Sequence, residues 1–177
     1  MALFPEVFET PRLRLRPLVA DDAEALHRIQ SDPEHMRFYP HPFSMQESVA
    51  WIERTVEHHA KHGFGLMAVE DRMTGEFLGN VGPMMQRVDD VDKIEIGWSI
   101  TPDRARRGIA TEAAKACRDR VFETVGVDHQ IWLIRPENEP SRGVARNLGM
   151  TIRKQTIFGS VGWLYDVWRA DRRDEAR

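Results

Sequence analysis

No stretch of this sequence constrains its fold more than Lys93 to Ala116, KIEIGWSITPDRARRGIATEAAKA. Ile94, Ile96, Trp98 and Ile100 alternate with Glu95, Gly97 and Ser99, the two-residue period of a pleated strand. Pro102 has no N–H to offer a ladder, so the strand is predicted to end near Thr101. Ile109, Ala113, Ala116, Cys117 and Val121 then recur at helical spacing, which predicts a helix from about Gly108 to near Gly126. The start of a helix presents unpaired N–H groups and about half a positive charge. Gly108, with no β-carbon, lets an anion approach that backbone, and Arg104, Arg106 and Arg107 raise the potential around it. Such a turn is built to cradle a phosphate.

The cradle sits on an acidic body. Asp and Glu number 28 against 25 Lys and Arg, a net charge of −3 that argues against a general nucleic-acid binder. A chain of 177 residues is read as one domain, 1–177, large enough to bury roughly 70% of its unfolded surface. The single cysteine, Cys117, forms no internal disulfide and suits a reducing compartment. Met1 to Thr10 has no apolar core of signal-peptide length, and no apolar run is long enough for a bilayer. The reading is cytoplasmic, with neither nucleic acid nor membrane as partner.

Taken in order, Arg12 to Leu18 alternates basic and apolar residues and reads as a first strand, open on one face. Asp21 or Asp22 is expected to cap a helix ending near Asp32-Pro33. Phe38 to Phe43, with Pro40 and Pro42, cannot continue a helix. A second helix is predicted from about Met45 to His62, with Val49, Ile52, Val56 and Ala60 buried and Gly63 as its stop. Strands follow at Phe64–Glu70 and Phe77–Met85, the latter interrupted by Gly79, Gly82 and Pro83, and Val88–Asp92 makes an acidic turn. After the central helix come a strand at Gln130–Arg135, a helix at Ser141–Leu148 and a hairpin from Ile152 to Arg169. The tail from Asp171 is predicted to fray.

Arg106-Arg107-Gly108-Ile109-Ala110, between strand and helix, resembles the acyl-CoA pyrophosphate loop of the GNAT-type N-acetyltransferases, written Gln/Arg-x-x-Gly-x-Gly/Ala. Gly108 and Ala110 fill the last two marked places and Ala105 stands in the first. The preceding Glu95-Ile-Gly-Trp-Ser-Ile100, the following Asn138-Glu-Pro-Ser141 and the run Gly-Ile-Ala-Thr-Glu-Ala are similar to the RimJ/RimL-like branch. That resemblance covers nearly the whole chain. It implies an α+β (α/β) fold: a mixed, mostly antiparallel sheet of about six to seven strands, splayed in the middle, with about four helices on its two faces. It implies acetyl-CoA as cosubstrate, direct transfer to a primary amine and no metal. The diphosphate is expected on Arg106, Arg107, Gly108, Ile109, Ala110 and Thr111, and the pantetheine along Trp98, Ile100, Asn138 and Ser141. A homodimer is left open.

Thioester aminolysis sets the chemistry. An uncharged amine attacks the acyl carbon, an oxyanion develops and a thiolate leaves, while the protein binds, orients and stabilises. Gly97 inside a strand signals a bulge or a close backbone approach, or merely eases packing. The resemblance implies that this strand splays from the one after the central helix and frees an N–H near Trp98 for the oxyanion. Glu95 stands where several relatives carry a general base; its alternative is a salt bridge to a first-strand arginine. Ser141 is a pantetheine contact and proton donor to the thiolate, a helix N-cap, or both. Ala145 occupies the place where many relatives have a tyrosine acid, and a thiol with a pKa of about 8.5 leaves without much help. Phe38, Tyr39 and His41 either wall the acceptor site, as the matching loop does in relatives, or merely connect helices. His58, His59 and His62 read as an exposed polar face rather than a metal site, and Asp89, Asp90 and Asp92 as a solvated turn rather than a lure for amines. The acceptor is read as a protein N-terminal α-amine. Its rivals are a small-molecule amine, whether an aminoglycoside, a polyamine or an amino-acid-like amine, and an acyl-CoA sensor without catalysis.

Overall fold

Alternation in the arginine–leucine run buries Leu13 and Leu15 and sends Arg14 and Arg16 to the opposite face of the sheet. The computed structural model describes Phe4 and residues 7–172. Its strands are β1 (Phe8–Glu9), β2 (Leu13–Pro17), β3 (Met67–Asp71), β4 (Phe77–Val88), β5 (Val91–Ile100), β6 (His129–Ile134), β7 (Thr151–Phe158) and β8 (Trp163–Asp171). The helices are α1 (Ala23–Gln30), α2 (Met45–His62), α3 (Ile109–Thr124) and α4 (Glu139–Asn147). The eight strands form one sheet in the order β1-β2-β3-β4-β5-β6-β8-β7, antiparallel throughout except for β5 against β6. This is the expected mixed sheet with one more strand. The addition, β1, is two residues long, too short to show a period.

Helices cover both faces. Ile94 and Ile96 of β5 pack with Ile109, Ala113 and Cys117 of α3 and with Ala145 of α4, so Cys117 is core as its stripe implied. On the other face Trp51 of α2 packs on Leu66, Ala68 and Met84. Of the arginines of β2, Arg14 keeps 43% of its side chain in solvent on that side, whereas Arg16 is mostly covered. Arg14 and Arg16 donate to Glu70 at 2.8 and 2.7 Å, and Arg16 also grips Asp22 at 2.7 Å. Asp22 is consumed there and in accepting from the Val19 N–H, so it does not cap α1.

The bounds of α2 fall where the sequence puts them. Ser44 and Glu47 close a reciprocal capping box at its start, and Gly63 ends it at φ 74°. Its inward face differs from the expected stripe: Ser48, Ile52 and Thr55 are buried, Val49 and Val56 are 39% and 45% exposed, and Ala60 is exposed. Period alone leaves the helix free to rotate by one position. Thr55 donates to the Trp51 carbonyl and Ser48 meets His27, so their hydroxyls enter the interior satisfied.

β4 runs as one strand through Gly79, Gly82 and Pro83. The predicted interruption is confined to its pairing with β3, which shifts register beside Gly79, from Val69↔Gly79 to Glu70↔Phe77. A β-carbon on Gly79 would lie 2.0 Å from the Ser99 carbonyl oxygen, so that glycine admits a neighbouring backbone. Gly97 makes no bulge. The β4–β5 register passes unbroken through Gly82↔Gly97, and the missing β-carbon leaves room for Met84. The splay arises elsewhere. One register pair, Glu95↔Ile131, joins β5 to β6, and beyond it Ile96 to Ile100 has no ladder partner on that side. Asp171 closes β8, and the rest of the tail predicted to fray, from 173 on, lies outside the described residues. No helix among the described residues is long and apolar enough to cross a membrane.

Candidate active site

Two left-handed residues shape the turn between β5 and α3, Arg106 at φ 60° and Gly108 at φ 75°. Glycine takes that conformation freely, whereas arginine takes it at a cost. Among the described residues no protein acceptor meets the N–H groups of residues 106–111, so the start of α3 offers a run of free donors. Arg106 and Arg107 pair with no described carboxylate, but Arg104 is held by Glu76 and adds less to the local potential than its position suggests.

A clamp from the other end of the chain holds this turn. Arg12 donates through Nη1 to the Arg107 carbonyl at 2.7 Å and through Nε to Glu112 at 2.6 Å. The Thr10 hydroxyl donates to the same carboxylate at 2.6 Å. Burial works against the Glu112 charge, but these donors hold its carboxyl below the usual range. Sequence reasoning missed the clamp because its partners lie 100 residues apart. Glu112→Gln should therefore weaken acetyl-CoA binding by about tenfold with the fold intact, since one charge-assisted anchor of the turn is lost. Unchanged affinity by calorimetry would show that the turn holds itself.

Where β5 and β6 part lies a groove of about 220 Å³. β5 contributes Glu95, Ile96, Gly97 and Trp98, and Trp132 to Arg135 make the opposite wall. Asn138 and Ser141 lie at one side, Phe38 and Tyr39 at another, with Phe158 and Tyr165 from the last hairpin. Glu95 is 8% exposed and accepts from the Leu133 N–H at 3.2 Å, bridging the two strands where they separate. Burial pushes its carboxyl up to about 7, against the pull of the Leu133 N–H and the Gln86 side chain. The alternative salt bridge to a first-strand arginine does not form, because Glu70 holds both arginines. Tyr39 is 45% exposed as a whole residue, yet its hydroxyl is raised, first by desolvation and then by Glu95 and Tyr165. Tyr165 is raised by burial, with Arg135 opposing.

The groove thus gathers Glu95, Trp98, Asn138, Ser141, Phe38 and Tyr39, while residues 106–111 form the separate turn at the start of α3. It does not gather His41, which is exposed and bonded to Glu47 at 2.7 Å, or Ile100, which packs against the core. Ser141 is not the cap of α4. Asn138 is, accepting the Ser141 N–H at 3.1 Å. Ala145 is fully buried and reaches no substrate. Tyr165 and Arg135 were not singled out from the sequence. Alternation in the last strand assigns Tyr165 a face, but only tertiary packing turns that face toward Glu95. His58 lies on no exposed face: its ring takes the Met85 N–H at 3.0 Å and meets the Phe64 carbonyl at 3.1 Å.

A sheet that opens at its one parallel pair, next to a helix start lined with free N–H groups, is the architecture of an acyltransferase that uses a coenzyme A thioester. Comparison with known proteins agrees. Residues 12–151 match the acetyltransferase (GNAT) domain, and the chain belongs to that family of N-acetyltransferases. The Bacillus subtilis protein YkkB is 33% identical over 150 residues, covering 82% of this chain and 87% of its own. The acetyltransferase from Agrobacterium tumefaciens superposes with a TM-score of 0.81 at 25% identity, covering 94% of each chain. RimL, a ribosomal L7/L12 α-N-protein acetyltransferase solved with coenzyme A, shares the fold at a TM-score of 0.73 and 14% identity, over 94% of this chain and 98% of its own. The family's acetyl-CoA suits the residues present: free N–H groups and a bare glycine at the start of α3, and a groove open between β5 and β6.

Proposed function

We propose that this enzyme acetylates a primary amine of low charge, a protein or peptide N-terminal α-amine, in the manner of the RimJ/RimL-like branch. The N–H groups and arginines of residues 106–111 hold the diphosphate. Trp98, Asn138 and Ser141 line the pantetheine arm, and Ile100 shapes the strand behind it. Phe38 and Tyr39 wall the acceptor end. Acetyl-CoA supplies the activated acetyl group. Glu95, directly or through a water, takes the proton from the attacking amine, and main-chain N–H near Trp98 steadies the oxyanion. The C–S bond then breaks, and Ser141 or water returns a proton to the thiolate.

The observation that carries this reading is a carboxyl, Glu95, buried where the sheet parts and raised to about 7 by that burial. A base near 7 suits an α-amine with a pKa of roughly 8, already partly uncharged, better than a lysine-like amine near 10.4. An aminoglycoside or polyamine would find in the groove one weak carboxylate and a guanidinium, Arg135. Of the turn aspartates, Asp89 is bonded to Lys154 and Thr156 and Asp92 to Arg87, while Asp90 stands in solvent 3.9 Å from Arg87. Thiol release from acetyl-CoA with a panel of peptides, polyamines and aminoglycosides tests this. Turnover with peptides supports the reading. Turnover confined to polycations overturns the acceptor, and acetyl-CoA binding without turnover supports a sensor.

A further inference from the structure

Arg135 follows β6 directly and borders the groove that holds Glu95. Its guanidinium carbon lies 4.2 Å from the Trp163 ring centre and 5.9 Å from that of Tyr165. That stack fixes a planar fork and limits its freedom before any ligand arrives. Its Nε is buried with no hydrogen-bond partner, and the side chain is 20% exposed. The nearest carboxylate, Glu137, stands 3.4 Å away with 64% of its side chain in solvent. A pair that long and that wet compensates a desolvated cation poorly. The arginines of β2 present the contrast: Arg14 and Arg16 hold buried carboxylates at 2.7–2.8 Å. Arg135 is therefore a preorganised cation short of an anion, beside a carboxyl placed to meet an amine. A groove with one acidic and one cationic wall matches a ligand that carries both an amine and a carboxylate.

We propose that Arg135 receives a carboxylate of the acceptor, so that the enzyme selects amines bearing a carboxylate on the same molecule. The inference rests on the groove being the acceptor end of an acetyltransferase. Two sources supply that chemistry: an acidic side chain next to a peptide's N-terminus, or the α-carboxylate of a free amino acid. Three near-isosteric product analogues separate them. N-acetylglutamate α-amide carries the side-chain carboxylate alone, N-acetylglutamine the α-carboxylate alone, and N-acetylglutamine amide neither.

Their binding to the coenzyme A-loaded enzyme, followed by NMR titration, needs no turnover. At least one carboxylate analogue should bind about tenfold more tightly than the amide, or better, and which one does names the source. Arg135→Gln should erase that preference while leaving coenzyme A affinity and the melting temperature near wild type. Arg135→Lys, which keeps the charge but loses the fork, should restore part of it. Equal binding of all three analogues to wild type overturns the proposal. So does a preference that survives Arg135→Gln, or a loss of coenzyme A affinity in its place, which would assign Arg135 to the cofactor arm. If no amine were acetylated, the proposed function would fall while the binding contrast still judged Arg135.

Discussion

Gly108→Val abolishes most acetyl-CoA binding, a loss of about a hundredfold or more by calorimetry. Two effects combine. The residue sits at φ 75°, a conformation that a β-branched side chain adopts only under strain. Its β-carbon would lie 3.3 Å from Nη2 of Arg12, the residue that braces the turn through the Arg107 carbonyl. The new side chain thus crowds the clamp and stands between a diphosphate and the free N–H groups of residues 106–111. Several charge-assisted hydrogen bonds, each contributing about 1.5–3 kcal/mol, are lengthened together. Gly108→Ala separates the two effects, since it keeps the strain with less bulk. Wild-type affinity in a folded Gly108→Val protein would mean that the diphosphate binds elsewhere.

Glu95→Gln lowers kcat by about a hundredfold or more, the scale of a lost general base, and leaves acetyl-CoA affinity nearly unchanged. In the wild type kcat/KM should climb with pH in two steps, one at about 7 where the Glu95 carboxyl gives up its proton and one at roughly 8 where the acceptor α-amine does. The variant should lose the first step and keep the second. Stability moves the other way. The folded protein keeps the Glu95 proton up to about 7, whereas the unfolded chain releases it near the ordinary 4.5. The folded state therefore binds more protons between those values, and stability falls as pH rises through that window. Above it the charged carboxylate costs on the order of 3 kcal/mol, which Gln removes. A variant slower yet more stable at pH 8 fits a buried base. A variant both slower and less stable would recast Glu95 as a structural residue.

Local chemistry made much of this readable in advance. The bounds of α2 follow from Ser44, Glu47 and Gly63, which act within a few residues of themselves. The strand–turn–helix of β5 and α3 follows from a change of period across Pro102 and Gly108. The inward face of α2 was misread because its valines and its hydroxyl residues offer helical faces one position apart. Tertiary packing, with Ser48 meeting His27, sets which face goes in, and the bond from Thr55 to the Trp51 carbonyl satisfies the second hydroxyl it buries. A glycine inside a strand signals a bulge, a close backbone approach or packing alike, and at Gly97 it is Met84 that takes the space.

Periods, caps and glycines act over a few residues, so the chain's local patterns encode every strand and helix but β1, their order, the glycine turn before α3 and the carboxylate on the central strand. Long-range packing sets the rest: Glu95 meets the Leu133 N–H across 38 positions of chain, Arg12 braces the Arg107 turn, and Tyr165 and Arg135 line the same groove. Burial and desolvation, which tune the Glu95 carboxyl and leave Arg135 short of an anion, exist only once distant strands enclose those groups. No local pattern encodes them.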